Sequence, residues 1–112
     1  RYDAHKHMLS RVKTVDYREQ VAARQEFVLE APVIFLLVSD FSRFDRGDQE
    51  QKFTWANMDA GFVGQNILLY CASENFATVP RAQMNKDKLR DILDLEDSQH
   101  LMLNFPVSHK AK

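Results

Sequence analysis

The chain has few cysteines, no long apolar run and no excess of charge of one sign. Cys71 is the only cysteine among 112 residues, so no intrachain disulfide can form, which fits a reducing compartment such as the cytoplasm. Because Cys71 lies within an apolar stretch, it is predicted to be a small buried hydrophobe and not a nucleophile. The longest apolar run, residues 31–38, is eight residues, which is too short to cross a bilayer.

The charge balance argues against a polyanionic partner. The chain has 15 Lys and Arg against 16 Asp and Glu, a net charge of −1, and the basic residues form no block. Neither nucleic acid nor a membrane surface is therefore expected as a partner. A length of 112 residues leaves room for one domain with a single core.

Several motifs that carry chemistry are also missing. The sequence has no P-loop, no GxGxxG and no His or Cys cluster with metal-ligand spacing, so no metal site is predicted. The chain opens on Arg1, without an initiator Met and without a basic-then-apolar leader. Residue 1 is accordingly expected to be a position within a longer gene product.

The first half of the chain predicts a small hairpin, a helix and a buried strand. Residues 1–3 and 8–13 form the hairpin, and a helix is expected over residues 17–29 with Asp16 as its cap and Glu19 in the capping-box position. Residues 33–38 are continuously apolar, which predicts a strand buried on both faces. Residues 40–52 are polar and of mixed charge, and predict an exposed loop.

The second half predicts a long helix, a short helix and a strand. Residues 53–76 are apolar around most of the helix circumference, so a second subunit or further chain is expected to enclose them. Asn75 is expected to close this helix in the left-handed conformation, and Asn85 to cap a helix over residues 86–93. Residues 101–107 alternate in polarity, which predicts a half-buried strand with Pro106 at its end or at an edge.

Four segments, in order along the chain, resemble the nitroreductase family of flavoproteins. Residues 59–69 read DAGFVGQNILL, close to the family's D-A-G-x-x-x-Q-N-x-x-L, and residues 78–81 read TVPR like its Thr-Val-Pro-Arg extension. Residues 106–112, PVSHKAK, resemble the Pro-Val-Gly-like turn with its lysine-bearing tail. Residues 27–33 look like the approach to the family's central strand.

This resemblance implies an α+β, nitroreductase-like fold, of which residues 1–112 would be the C-terminal portion: central sheet strands with a long, buried, dimer-forming helix. It further implies noncovalently bound FMN at the interface of an intertwined homodimer. NAD(P)H would reduce the flavin, which would then reduce a nitroaromatic, quinone or similar small-molecule acceptor in a ping-pong cycle.

The resemblance also assigns cofactor-binding residues. The backbone of Pro80, Arg81, Ala82 and Gln83 would pass the flavin N5/O4 edge, where its peptide N–H groups could stabilise charge on the ring. Arg81 would be an anion partner, and Lys110 or Lys112 a phosphate contact. Without the resemblance, each of these cations would be interpreted as a solvated surface group. The family's chemistry uses no protein nucleophile, so no catalytic side chain is predicted.

The sequence departs from the family pattern in ways that support an alternative function. Ala82 and Gln83 stand where the family often has glycine, and Ser108 replaces the glycine of the Pro-Val-Gly turn. The family's Arg-x-Ser-x-Arg-like phosphate-binding segment is not among residues 1–112. The alternative is a truncated, non-catalytic remnant that acts only as a dimerising or binding domain. An unrelated interaction module accounts poorly for the ordered motifs.

Overall fold

A computed structural model describes residues 1–111 and shows an α+β architecture, as the resemblance predicts. In chain order the elements are β1 (Tyr2–Asp3), β2 (Met8–Leu9), α1 (Arg18–Ala22), β3 (Val33–Asp40), α2 (Gln49–Ser73), β4 (Phe76–Thr78), α3 (Lys86–Leu93) and β5 (Gln99–His109), with 3-10 turns at Glu26–Glu30 and Phe41–Arg43. None of the helices among these residues combines the length and the apolarity needed to span a membrane.

The N-terminal hairpin is present but shorter than predicted. Strands β1 and β2 pair antiparallel, with Tyr2 opposite Leu9 and Asp3 opposite Met8. The Asp3 carboxylate accepts hydrogen bonds from the backbone N–H groups of His5 and Lys6, which stabilises the turn.

The predicted helix over residues 17–29 is wrong in extent. Helix α1 ends at Ala22, and Ala23 has a positive φ of 53°. The Val21 carbonyl oxygen, which a longer helix would use for its own ladder, accepts a hydrogen bond from the Arg81 guanidinium instead, and the Ala22 carbonyl accepts from both Arg81 and the Gln25 N–H. The predicted cap is one residue away from the N-cap position, which Tyr17 occupies without a side-chain capping bond, but the Asp16 carboxylate does accept from the Arg18 N–H at the start of the helix.

The main sheet has three antiparallel strands in the order β3-β5-β4. Strand β5 is therefore central, and the prediction of a half-buried strand ending at Pro106 is wrong. The N–H of Asn104 points toward Arg81, and the nitrogen of Pro106, two residues further along, points to the same side of β5. The pairs Ala77–Ser108 and Arg81–Asn104 share one register, which places Pro106 opposite Val79. Since proline has no N–H to donate, the pairing between β4 and β5 is interrupted at this point.

A β-bulge in β5 breaks the predicted alternation of faces. Leu36 pairs with Asn104 and Val38 with Leu101, so Met102 and Leu103 both stand opposite Leu37. Leu101 consequently packs on one face of the sheet, whereas Phe105 packs on the other, against α2.

Strand β3 is confirmed, but its predicted burial on both faces is wrong for the described chain. It lies at an edge of the sheet, since β5 is its one strand neighbour among residues 1–111. The side chains of Val33, Phe35 and Val38 are 50%, 43% and 41% exposed.

Helix α2 begins before the predicted residue 53 because a capping box starts it. The Asp48 carboxylate accepts from the Gln51 N–H, and the Gln51 side chain accepts from the Asp48 N–H. The predicted loop over residues 40–52 is correspondingly shorter, and Phe41 within it is buried. Asn75 follows the helix with a φ of 59°, as predicted.

One narrow stripe of α2 is buried, and it is made of small side chains: Ala56, Ala60, Gly64 and Cys71. The large apolar side chains on the remaining surface are exposed: Met58, Phe62, Val63, Leu69 and Tyr70. Residues 1–111 therefore cover one side of the helix, and its enclosure by a second subunit or by further chain stays a prediction.

The core lies on both faces of the sheet. On one face Leu89 of α3 packs with Val21, Val28 and Leu101, and the Asn85 cap of α3 forms as predicted. On the other face Phe41 and Met102 pack against Ala56 and Ala60 of α2. Helix α2 is thus separated from α1 and α3 by the sheet.

Candidate functional site

A groove of about 310 Å³ lies between α2 and the bulged part of β5. Phe53, Asn57 and Ala60 line it from α2. The opposite side is formed by the strand residues 101–103 and by Ala82 and Lys86, which lie in and just after the segment that joins β4 to α3. The bulge places Met102 and Leu103 together at the groove, because it removes the strand's normal alternation at that point.

The segment containing Pro80, Arg81, Ala82 and Gln83 is held to the sheet at the edge of this groove. Arg81 and Asn104 exchange backbone hydrogen bonds of 2.9 and 2.8 Å, and the Asn104 side-chain amide donates to the Gln83 carbonyl at 3.1 Å. Ala82 and Gln83 are exposed, and their N–H groups have no hydrogen-bond partner among residues 1–111. Two amides are thus available to a ligand in a fixed segment. Pro80 is also exposed.

The Arg81 side chain does not fit its predicted role as an anion partner. It is 6% exposed, and its guanidinium donates to the carbonyl oxygens of Val21 and Ala22 and to the side-chain oxygens of Gln25 and Asn104. Burial lowers the pKa of this guanidinium. Its donors are used to tie α1 to β5, so Arg81 positions the backbone at the groove and leaves no open face for a phosphate.

The predicted lysine contacts lie away from the groove. Lys110 is exposed directly after β5, seven residues beyond Leu103, which is roughly 20 Å along an extended strand. A single chain therefore does not bring Lys110 to the groove. Lys112 lies outside the described residues.

Sequence reasoning placed only Ala82 of the groove residues in the site, and the residues that it missed include Phe53, Asn57 and Lys86. Phe53 and Asn57 were hidden within a long apolar helix, and Lys86 looked like an ordinary exposed residue of a short one. The groove exists because residues distant in sequence meet across the sheet, so no local motif marks it.

His100 lies in an aromatic cluster with Phe41 and Phe53. Its ring centroid is 4.1 Å from that of Phe41 and 4.8 Å from that of Phe53. Burial lowers the pKa of His100, and the positive charges of Arg90 and Lys86 lower it further, while Asp40 acts in the opposite direction. The folded protein therefore favours the neutral imidazole.

We expect the free energy of unfolding to fall as the pH is lowered through about 6.5, the ordinary pKa of a histidine in an unfolded chain. Above 6.5 the imidazole is neutral in both states, whereas below it the unfolded chain takes up a proton that the folded chain resists. Thermal unfolding at pH 7.5 and at pH 5.5 measures this effect, and His100→Gln should reduce the difference. The exposed His5 is the control, since His5→Gln should leave the difference unchanged. An equal effect of both variants would contradict the assignment.

A second cavity, of about 330 Å³, lies beside α1 and β3. Its charged groups are already paired, because Lys13 binds Asp94 and the Arg18 guanidinium binds the Asp16 carboxylate. This leaves no free ionic group to recognise a ligand. Among residues 1–111 no cluster of His, Cys, Asp and Glu could hold a metal ion.

Comparison with known proteins connects the chain to one family. The sequence model described as "Nitroreductase family" matches residues 1–109. The fold resembles a solved structure from Ralstonia eutropha JMP134, provisionally assigned as a nitroreductase, with a TM-score of 0.65 and 23% identity. The match covers 70% of this chain and 38% of that one, so the chain spans well under half the length of this relative. No curated protein sequence matches.

Proposed function

Since the chain belongs to the nitroreductase family, we propose that this oxidoreductase of the nitroreductase type uses FMN to transfer hydride from NAD(P)H to a small aromatic or quinone acceptor. The proposal includes a homodimer and a cytoplasmic location. The observation that carries it is the pair of unbound amides at Ala82 and Gln83, beside a groove with apolar walls.

The segment at the edge of the groove suits the polar edge of a flavin. The amides of Ala82 and Gln83 offer hydrogen-bond donors to that edge, and the groove beside them is left open for the acceptor. Ala82 and Gln83 carry these donors in place of the glycines common in the family.

FMN, when bound, would supply two-electron hydride chemistry that no side chain can perform. The chain's own contribution would be to bind the flavin and to orient it. The amides of Ala82 and Gln83 would donate to developing negative charge, and the Arg81–Asn104 pairing would hold them in place without reorganisation. Lys110 lies far from the groove, and Lys112 lies outside the described residues. In a site shared between subunits, these lysines would bind the cofactor phosphate.

The homodimer is supported by the exposed apolar surface of α2. Phe62 is 74% exposed, and Leu69 and Tyr70 are each 59% exposed. Contiguous apolar side chains of this size on a helix are typical of a protein interface. A second copy of α2 would cover them, as the sequence analysis expects.

The proposal predicts that the purified full-length protein is yellow, with a flavin absorbance band at about 450 nm. Replacing Lys110 or Lys112 with alanine should weaken FMN retention by about 10-fold, because each loses one charge-assisted contact to phosphate. Flavin fluorescence during dialysis gives the dissociation constant.

Lys6, exposed in the N-terminal hairpin, provides the control, and Lys6→Ala should retain FMN as the parent does. A colourless protein that gains no absorbance with added FMN would reject the proposal in favour of the non-catalytic domain. Unchanged retention in both lysine variants would remove Lys110 and Lys112 from the site.

A further inference from the structure

We infer that Lys86 makes the groove selective for a negatively charged planar ring, and that the acceptor is therefore an aromatic anion such as a carboxylated nitroarene or quinone. The inference deepens the proposed function and rests on it for the identification of this ligand as the acceptor. The charge preference itself is a property of the groove.

The shape of the groove suits one small ring system. Phe53 on α2 lies across the cleft from Met102 and Leu103, so each long side carries an apolar residue. The volume of about 310 Å³ is at the lower end of the range for small-molecule sites. A planar aromatic compound can lie against Phe53 there, whereas a larger ligand would extend into solvent.

The charge of the groove comes from one residue. Lys86 is the sole ionic side chain of the lining, which contains no carboxylate. Its ammonium forms no hydrogen bond or ion pair with residues 1–111, in contrast to Lys13 and Arg18 in the other cavity.

The nearby acidic and basic groups leave this charge uncompensated. Asp40, on the far side of His100, has its carboxylate engaged by Ser42 and Ser98. Arg90, one helical turn beyond Lys86, donates to the backbone carbonyls of Glu96 and Gln99 and lies 3.9 Å from the Asp97 carboxylate, so that carboxylate is paired with Arg90. An anionic substituent at the mouth of the groove would therefore gain an ion pair without breaking an existing one.

The position of Ala82 connects the groove to the proposed chemistry. Ala82 lines the groove and also belongs to the segment proposed to meet the reactive edge of the flavin. A ring bound between Phe53 and Met102 would therefore lie beside that edge. Lys86 would act there as a specificity-determining residue and would take no part in the hydride transfer.

Two probes of nearly equal size separate charge from shape: para-nitrobenzoate, an anion, and para-nitrobenzamide, which is neutral. We expect calorimetric titration of the full-length protein to show about 5-fold tighter binding of the benzoate, the ratio that corresponds to one partly exposed ion pair. Lys86→Met should reduce this ratio to about 1 by weakening the binding of the benzoate, whereas Lys86→Arg should keep the preference.

Lys88 is the matched control, because it is exposed on the same helix and does not line the groove. Lys88→Met should retain the 5-fold ratio, and 0.5 M salt should weaken the preference of the parent protein by screening. Equal affinities for the two probes in the parent, an unchanged ratio in Lys86→Met, or an equal loss in Lys88→Met would overturn the inference.

The same titrations distinguish failure of the inference from failure of the proposed function. A yellow protein without a charge preference would reject the role of Lys86 and leave flavin chemistry standing. A colourless protein with a Lys86-dependent preference would reject flavin chemistry and the acceptor assignment, while the ligand class of the groove would be upheld.

Discussion

Replacing Arg81 with methionine should lower the free energy of unfolding by at least about 2 kcal/mol. The substitution keeps an unbranched apolar stem but leaves the carbonyl of Val21 and the side-chain oxygen of Asn104 without their donor, whereas the Ala22 carbonyl keeps the Gln25 N–H. Each buried acceptor without a partner costs about 1–3 kcal/mol. Arg81→Lys should have an intermediate effect, because one ammonium cannot reach acceptors spread around a planar guanidinium.

Urea unfolding of the purified protein measures this difference, and Arg46 offers a control. Arg46 is exposed and makes no hydrogen bond or ion pair within residues 1–111, so Arg46→Met should change stability by less than about 0.5 kcal/mol. If Arg81→Met were as stable as the parent but lost FMN, Arg81 would be an anion partner after all, and the structural role assigned here would be wrong.

Gly64→Ala should destabilise the protein by about 1–3 kcal/mol, although alanine is the better helix former. A Cβ atom at position 64 would lie 2.7 Å from Cζ of Phe105, well inside van der Waals contact. Phe105 is fully buried in the central strand of the sheet. The added methyl group must therefore displace α2 from β5 or strain the Phe105 rotamer.

Gly61, one turn earlier on the same helix, provides the control for this test. A Cβ atom there meets nothing within 4 Å, so Gly61→Ala should stabilise the helix by up to about 1 kcal/mol. Thermal unfolding of both variants should thus show changes of opposite sign.

In Gly64→Ala combined with Phe105→Leu, the loss of stability should be smaller than the sum of the losses in the two single variants, since the smaller side chain removes the clash. Additive effects would show that the contact does not control the distance between helix and sheet.

Local signals in the sequence predicted the elements whose ends depend on nearby residues. Asn85 caps α3 through its side chain, and residues 1–9 form a hairpin. Asn75 follows the end of α2 with a positive φ. The capping box at Asp48 and Gln51 was also readable from the sequence but was missed. The caps depend on contacts within three residues along the chain, and the hairpin pairs residues that are five and seven positions apart.

The errors occur where distant residues decide the outcome. Helix α1 stops because Arg81, 60 residues from Val21, takes the carbonyl group that would continue it. The two faces of β5 could not be assigned, because a bulge opposite Leu37 exchanges them. Ala82 was found at the candidate site through a motif that resembles a family, whereas Lys86 reaches the groove through tertiary packing that no local pattern encodes.

The outer edge of β3 has a consequence for handling the protein. Residues 33–38 include no charged side chain and no proline, and within residues 1–111 their outer backbone groups face no other strand. Such an edge is a template for intermolecular strand addition, because its amides and carbonyls can pair with any extended chain. Residues 1–112 produced by themselves should therefore tend toward ordered precipitation at high concentration, and solubility should improve when a lysine interrupts the neutral stretch.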